Sequence, residues 1–143
     1  MQSTVQGFRR AAPSDIDRLM EIRGAVRENR LSNPLSVTRA DYDRFVGEGR
    51  VWVSEIGNTI VGFSASDEHD GSIWALFVDP AHQRAGIGPA LLGKACLDLK
   101  IDGYKSVRLT TQGGTVAENL YRRLGWADVG ISDSGEVKFE LRF

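Results

Sequence analysis

The feature that most constrains the fold is a strand, a helix and a second strand in direct succession. Residues 72–79 form the most apolar strand-like run of the chain, and Pro80, which cannot donate to a ladder, ends it. Apolar residues then recur at helical spacing from Ile87 to about Ile101, and Ser106–Thr111 is again strand-like. Two strands joined by a helix in this way require a parallel crossover.

The segments on either side of this crossover have antiparallel signatures. Val51–Ile56 and residues 59–65 flank Gly57-Asn58, a two-residue hairpin signal, and Asp70-Gly71 repeats that pattern before the apolar strand. We therefore predict an α/β fold with the architecture of one domain over residues 6–143. About six or seven strands would form a mixed, twisted sheet, flanked by about four helices.

Local signals predict the remaining helices and one buried core residue. Ser14 is predicted to cap a first helix that buries Ile16, Leu19 and Met20, with Arg23 at the rim of the buried stripe. Thr38 and Asp41 predict a capping box for a second helix that runs toward Gly47, and Gly125 is predicted to end the last helix, over residues 115–124. Cys96 falls on the apolar helical stripe, which predicts a buried side chain.

Composition excludes several classes of function. The net charge is −1, so no overall field attracts nucleic acid or an anionic membrane. Cys96 is the one cysteine, and His69 and His82 are the two histidines, which argues against a disulfide and against a metal site. The N-terminus lacks the apolar core of a signal peptide, and no apolar run has the length of a membrane span. We expect a soluble, cytoplasmic protein that binds anions only at a local site.

Three glycine motifs compete for residues 83–95. A nucleotide P-loop would need a hydroxyl at Ala95 and would place a loop inside the predicted helix. A dinucleotide fingerprint would need a third glycine at Leu91 and an acidic residue after Thr110-Thr111. The context favours the third motif, a short glycine turn that opens a helix.

Residues 83–88, QRAGIG, lie between Pro80 and the long helix and supply this turn. Glycines without a Cβ let backbone N–H groups approach a ligand, and the unpaired N–H groups at a helix start bind phosphates. Arg84 adds a guanidinium, and Pro89 costs little in a first helical turn. A pyrophosphate is the predicted ligand.

The same residues carry a family resemblance. QRAGIG resembles the Gln/Arg-x-x-Gly-x-Gly/Ala signature of the GCN5-related N-acetyltransferase (GNAT) superfamily, and residues 74–80, WALFVDP, resemble the strand that precedes it. Residues 117–126, AENLYRRLGW, resemble a late element of the same family. The three elements occur in the family's order, so the resemblance spans nearly the whole chain.

The resemblance implies an N-acetyltransferase that passes an acetyl (acyl) group from acetyl-CoA, as co-substrate and without a metal, to a primary amine in a ternary complex. Tyr121 would be the general acid that protonates the departing thiolate. A backbone N–H at a strand bulge, mapped to residues 76–78, would hold the oxyanion. The residues implied to bind coenzyme A are Phe77, Val78, Gln83, Arg84, Ala85, Gly86, Ile87, Gly88, Pro89 and Asn119.

Several points stay open at the level of sequence. Gly114 stands where the family often has Asn, and residues 72–78 carry no carboxylate to act as a base. Arg122 and Arg123 are candidates for the 3′-phosphate of coenzyme A or for a solvated helix end. The acceptor could be a small-molecule or a peptide amine, and a homodimer is compatible with the sequence. The candidate bases are Glu28, Glu55, Asp67, Glu68 and His69, and none is singled out.

A non-catalytic acyl-CoA sensor of the same fold is the alternative function, with a nucleotide-binding protein as a third interpretation.

Overall fold

The computed structural model describes residues 6–26, 37–83 and 86–143, and within these ranges it has seven strands and four α-helices. The strands are β1 (Gln6–Arg10), β2 (Val51–Ile56), β3 (Thr59–Asp67), β4 (Ser72–Val78), β5 (Ser106–Thr111), β6 (Ala127–Ile131) and β7 (Val137–Arg142). The helices are α1 (Ile16–Ala25), α2 (Arg39–Gly47), α3 (Ile87–Ile101) and α4 (Val116–Arg123), with 3₁₀ turns at Pro13–Asp15 and Pro80–His82. The predicted α/β class is confirmed.

All seven strands form one mixed sheet in the order β1-β2-β3-β4-β5-β7-β6. Strands β1 to β4 are an antiparallel meander, and α3 carries the chain over to β5, which runs parallel to β4. Strand β7 lies between β5 and β6 and is antiparallel to both. The predicted crossover therefore lies in the middle of the sheet.

Helices cover the two faces of the sheet unequally. On one face, α1 and α2 pack on the meander through Leu19, Phe45 and Phe63, among other buried residues. On the other face, Leu91 of α3 packs over β3, and α3 and α4 together cover β5 and β7. Because α1 and α2 pack on the meander, no described helix covers the outer face of β5 and β7.

Helix α3 is held very close to the meander. A Cβ on Gly62 of β3 would lie 3.0 Å from Leu91 Cδ1 and 3.1 Å from the carbonyl oxygen of Phe77, so only glycine fits without a shift. The Ser64 hydroxyl donates to the carbonyl of Leu91 at 2.8 Å. Ion pairs join Asp98 of α3 to Arg10 of β1, and Asp102, directly after α3, to Arg50, directly before β2. The start of α3 is thereby fixed relative to β4.

Most local predictions are confirmed. The Thr38–Asp41 capping box, the hairpin at Gly57-Asn58, the span of α3 and the left-handed Gly125 occur as expected. Cys96 is buried, which also confirms its predicted place in the core.

Three local features differ from expectation. Ser14 does not cap α1: a 3₁₀ turn begins at Pro13, and the carboxylate of Asp15 accepts from the N–H of Ala12 at 2.7 Å. Met20 is 38% exposed, because Ile22 takes the buried position instead. Strand β6 has no buried side chain, and so it carries no burial pattern from which it could be predicted.

In the described ranges, no helix combines the length and apolar character needed to cross a bilayer.

Candidate active site

A cleft opens in the middle of the sheet where β4 and β5 separate. The one residue pair that joins them in the described chain is Ser72 with Arg108, after which the strands diverge. The resulting cleft has a volume of about 630 Å³. Among the residues that line it are Arg23, Trp74, Leu76, Phe77, Val78, Gln83, Gly86, Gly88, Pro89, Thr110, Leu120, Tyr121, Arg123 and Glu136.

The peptide groups of β4 alternate between β3 and this cleft. The N–H of Asp79 donates to the carbonyl of Val61 at 2.8 Å, which identifies this pair as hydrogen-bonded. Hydrogen-bonded and open pairs alternate along an antiparallel ladder, so Phe77 bonds to β3 whereas Leu76 and Val78 direct their N–H and C=O groups toward the cleft. The side chain of Gln83 confirms this direction, since its Nε2 donates to the Val78 carbonyl at 3.4 Å. Two backbone N–H groups therefore face the space between the strands.

The bulge in β4 lies earlier than predicted. Ala75 pairs with Ala65 and Ile73 pairs with Ser66, so the extra residue is Trp74. Residues 76–78 keep regular register, and their assignment to a bulge was wrong. The indole of Trp74 stacks on Phe45 of α2 with 4.1 Å between ring centroids, which anchors the bulge on the packed side of the sheet.

The predicted glycine turn leads into the start of α3. Gly86 is the N-cap residue, with φ of +77°, and α3 begins at Ile87. The N–H of Ala90 donates to the Gly86 carbonyl at 3.3 Å, and Pro89 has no N–H. The amides of Ile87 and Gly88 are thus the ones that the first helical turn leaves open. Arg84 and Ala85 lie outside the described residues.

Two residues at the start of α3 differ in what they present to the cleft. Ile87 is 1% exposed and its side chain packs in the core, so only its backbone can contact a ligand. A Cβ on Gly88 would lie 3.8 Å from both Leu120 Cδ2 and Val78 Cγ2. Gly88 therefore lies where α3, α4 and the end of β4 converge. The start of α3, with its positive dipole, borders the same cleft as the free amides of β4.

Tyr121 of α4 lines the cleft and is 5% exposed. Its ring centroid is 5.6 Å from those of both Trp126 and Phe139, which fixes the ring. Burial raises the pKa of its hydroxyl well above the ordinary value, and the neighbouring Cys96 adds to the shift. The hydroxyl thus keeps its proton throughout the neutral and moderately alkaline range. It can donate a hydrogen bond to a developing thiolate, but burial makes it a weaker acid.

The other predicted residues of α4 fall into two groups. Asn119 is exposed and does not line the cleft. Arg122 bonds to Glu118 at 2.8 Å and to Asp128 at 2.9 Å, so its guanidinium is already engaged. Arg123 lines the cleft, which separates it from Arg122 as a candidate phosphate contact.

The position of Gly114 has a structural role of its own. Gly114 has φ of +76°, and its N–H donates to the carboxylate of Glu118 at 2.8 Å. This hydrogen bond, together with the one from Arg122, lowers the pKa of Glu118. The glycine therefore supports the turn that starts α4, where the family often places an Asn side chain.

The described candidate bases lie away from the cleft. Glu55 bonds to Arg9 at 2.7 Å, Asp67 lies 3.4 Å from Arg44, and Glu68 and His69 follow Asp67 at the β3–β4 hairpin. Glu28 is outside the described residues. Sequence reasoning missed Glu136, a carboxylate that does line the cleft. Only the sheet topology, which brings the β6–β7 hairpin beside the end of β5, could have indicated it.

Much of the cleft lies in a segment that matches a known protein family. Residues 47–128 match the family model described as "Acetyltransferase (GNAT) domain", a span that contains β4, the glycine turn and α4. The chain belongs to the GNAT family. The predicted resemblance is thereby confirmed.

Individual relatives are distant in sequence. The [ribosomal protein bS18]-alanine N-acetyltransferase of Haemophilus influenzae is 29% identical over 76 residues, which is 52% of this chain and 52% of that protein. The match thus spans about half the length of this curated relative. The structure of yncA, a putative acetyltransferase from Salmonella typhimurium with acetyl-CoA, superposes with a TM-score of 0.79 at 18% identity, covering 96% of this chain and 94% of that one.

A second solved structure gives the same result for the fold. PaiA N-acetyltransferase from Thermoplasma acidophilum, in complex with coenzyme A, superposes with a TM-score of 0.80 at 14% identity, covering 97% and 99% of the two chains. At such identities the likeness establishes the GNAT fold over almost all of this chain.

Proposed function

We propose that this GNAT domain transfers an acetyl group from acetyl-CoA to a primary amine by direct attack in a ternary complex. The observation that carries the proposal is that one cleft is bordered by two kinds of free backbone N–H. Those of Ile87 and Gly88 lie at a helix start and suit a pyrophosphate, and those of Leu76 and Val78 suit the acyl end of the same molecule.

The residues present fit coenzyme A as the donor substrate. A volume of about 630 Å³ is within the usual range of sites for small molecules. Gly88, without a Cβ, leaves room between Val78 and Leu120 for a narrow chain. Arg123, also at the cleft, is our candidate for a phosphate contact. Of the residues predicted to bind coenzyme A, we retain those at the turn and in β4, and we do not assign Asn119 a contact.

The chemistry needs three things from this chain. As the amine nitrogen bonds to the acyl carbon, negative charge develops on the carbonyl oxygen, and the N–H of Leu76 is positioned to stabilise it. When the C–S bond breaks, the Tyr121 hydroxyl donates a hydrogen bond to the sulfur. An ammonium substrate must lose one proton before attack and a second afterwards. The first goes to solvent and the second ends on the thiol.

The acceptor is a primary amine of unassigned class. The Haemophilus relative acts on an alanine of ribosomal protein bS18, so a peptide that begins with alanine belongs in the first panel of acceptors, beside small alkylamines. A cytoplasmic location, as expected from the sequence, is compatible with this choice of donor and acceptor.

The sensor alternative is favoured by one observation, that none of the described bases considered from the sequence reaches the cleft. Incubation with labelled acetyl-CoA and the amine panel separates the two functions. We expect label in an amine product and a stoichiometric release of free thiol. Tight binding of acetyl-CoA by calorimetry, without transfer to any amine, would instead establish a sensor.

A further inference from the structure

Described residues from both faces of the sheet line the cleft, and the two sides differ in composition. The α3 turn and α4 line it on one face. On the other face the meander is covered by α1 and α2, while Arg108, Thr110 and Lys138 of β5 and β7 are exposed. No described helix covers β5 and β7 on this face, so if the donor enters beside α3, the acceptor approaches across this uncovered face.

Glu136 borders the cleft on the uncovered side. It directly precedes β7, whose first residue Val137 pairs with Thr111 of β5. Val137 is buried against α3 and α4, and successive side chains of a strand point to opposite faces. Glu136 is therefore directed to the uncovered face at the end of β5. It is the one carboxylate among the described residues that line the cleft.

The β6–β7 hairpin holds Glu136 in place. Its N–H donates to the Ser132 hydroxyl at 3.0 Å, and its carbonyl accepts from the Ser132 N–H at 2.8 Å. The Ser134 hydroxyl donates to its Oε1 at 3.2 Å. The backbone and one carboxylate oxygen are thus positioned by the hairpin itself.

Most carboxylates of this protein are paired with arginine, and Glu136 differs from them. Asp98, Asp102 and Glu118, for example, each contact a guanidinium within 3 Å. No described lysine or arginine forms an ion pair with Glu136. The other charged groups that line the cleft are Arg23, stacked on Phe77, and Arg123 of α4. Among the described residues that line the cleft, Glu136 is the one anionic partner for a cationic acceptor.

Building on the proposed acetyltransferase function, we propose that Glu136 binds the ammonium group of the acceptor and makes the cleft select cationic amines. The carboxylate accepts hydrogen bonds from the ammonium and holds its nitrogen at the cleft before a proton is lost to solvent. Because an anionic partner favours the charged amine, Glu136 contributes to acceptor binding and specificity rather than to the chemical step.

The test is steady-state kinetics of Glu136→Gln, with the best amine that the wild-type protein acetylates. A charge-assisted hydrogen bond to the substrate predicts that KM for the amine rises about 10-fold or more while kcat stays within about twofold. With an aromatic amine that is neutral at pH 7, wild type and variant should have the same KM. The wild-type KM for the cationic amine should also rise with salt, and that of the variant should not.

Asp133→Asn is the matched control, since it removes an exposed carboxylate of the same hairpin outside the cleft and should change nothing. An unchanged KM in Glu136→Gln, with an active wild-type protein, would overturn the assignment and leave the acetyltransferase function standing. A loss of acetyl-CoA affinity in that variant would also overturn it, because Glu136 would then act on the donor side or on folding. If the wild-type protein acetylates no amine, the proposed function itself fails, and the assignment fails with it.

Discussion

The two halves of the sheet are built differently. In the meander half, β3 has seven consecutive buried residues from Ile60 to Ser66, because helices pack on both of its faces. In the other half, β5 alternates between buried and accessible positions, and all of β6 is exposed. A single residue pair, Ser72 with Arg108, joins the halves in the described sheet.

The two halves therefore have different roles. One fixes the geometry of the cleft, and the other gives access to it. The meander fixes the direction of the β4 peptide groups and the position of the start of α3. Both depend on packing within the protein, so a ligand is not needed to create them. In the half that contains β5 and β7, no described helix covers the outer face, which is where we propose that the acceptor approaches.

This division predicts two kinds of effect. Substitutions at the junction, where β4, α3 and α4 meet, should affect binding and chemistry, and substitutions in the meander should affect stability.

The largest expected effect is at the junction itself. Gly88→Trp would fill the space between Val78 and Leu120, and we expect affinity for coenzyme A to fall about 100-fold or more, as hot-spot contacts do. Calorimetric titration checks this, with thermal unfolding to show that the variant folds. Gly88→Ala is the graded comparison, because its Cβ, 3.8 Å from both side chains, fits without a shift but takes part of the same space, so it should lose much less affinity. Wild-type affinity in the tryptophan variant would place the donor elsewhere.

The next effect concerns chemistry without binding. Tyr121→Phe removes the hydroxyl but keeps the ring between Trp126 and Phe139, so we expect kcat to fall about 10- to 100-fold with unchanged affinity for coenzyme A. Because burial raises the pKa of Tyr121, its ionisation should not limit the wild-type rate at moderately alkaline pH. A pH profile of kcat measures both points. Equal rates for the two proteins at every pH would remove Tyr121 from the mechanism.

In the meander, Gly62→Ala tests how tightly α3 is held. The added methyl would press on Leu91 and on the Phe77 carbonyl, and overpacking of this kind costs about 1–3 kcal/mol of unfolding free energy. Urea unfolding measures it. Gly93→Ala is the matched change on the exposed side of α3, where no atom lies within 4 Å, and it should stabilise the protein by about 0.5–1 kcal/mol. Equal effects at the two glycines would contradict the close packing.

The smallest expected effect is a pH dependence of the free energy of unfolding that comes from Cys96. This residue lies where α3 packs on the half of the sheet that contains β5 and β7. Burial raises the pKa of its thiol to about 11. Since the folded pKa lies above the unfolded one, the stabilising contribution is complete below pH about 9 and is lost as the pH rises toward 11. Between pH 9 and 10 the wild-type protein should lose up to about 1 kcal/mol more than Cys96→Ala. Urea unfolding at the two pH values compares these slopes, and parallel slopes would show that the thiol ionises normally.

The sequence predicted elements whose burial is regular. Helix α3 was placed at its observed span because one apolar stripe runs along it, and β5 was placed because its flanks are clear. Strand β6 was missed because its exposed side chains leave no periodicity, and pairing with β7 alone defines it. Burial patterns therefore predicted the scaffold better than the edge.

The site was predictable where function depends on backbone and glycine. The turn at Gly86 and Gly88 could be identified because a missing side chain is visible in a sequence. The bulge at Trp74 could not, since a register shift arises from pairing between strands that the sequence does not state. Glu136 escaped for a similar reason: it is 15 residues beyond Tyr121 in the chain, and only the insertion of β7 beside β5 brings its hairpin to the cleft.

The position of β7 between β5 and β6 has a consequence for assembly. Strand β6 comes earlier in the chain than β7 but has no hydrogen-bonded partner in the described sheet except β7. It can therefore join the sheet only through β7, either within a hairpin already formed or after β7 has paired with β5. A substitution that prevents β7 from pairing with β5 would therefore remove both β7 and β6 from the sheet, together with one wall of the cleft.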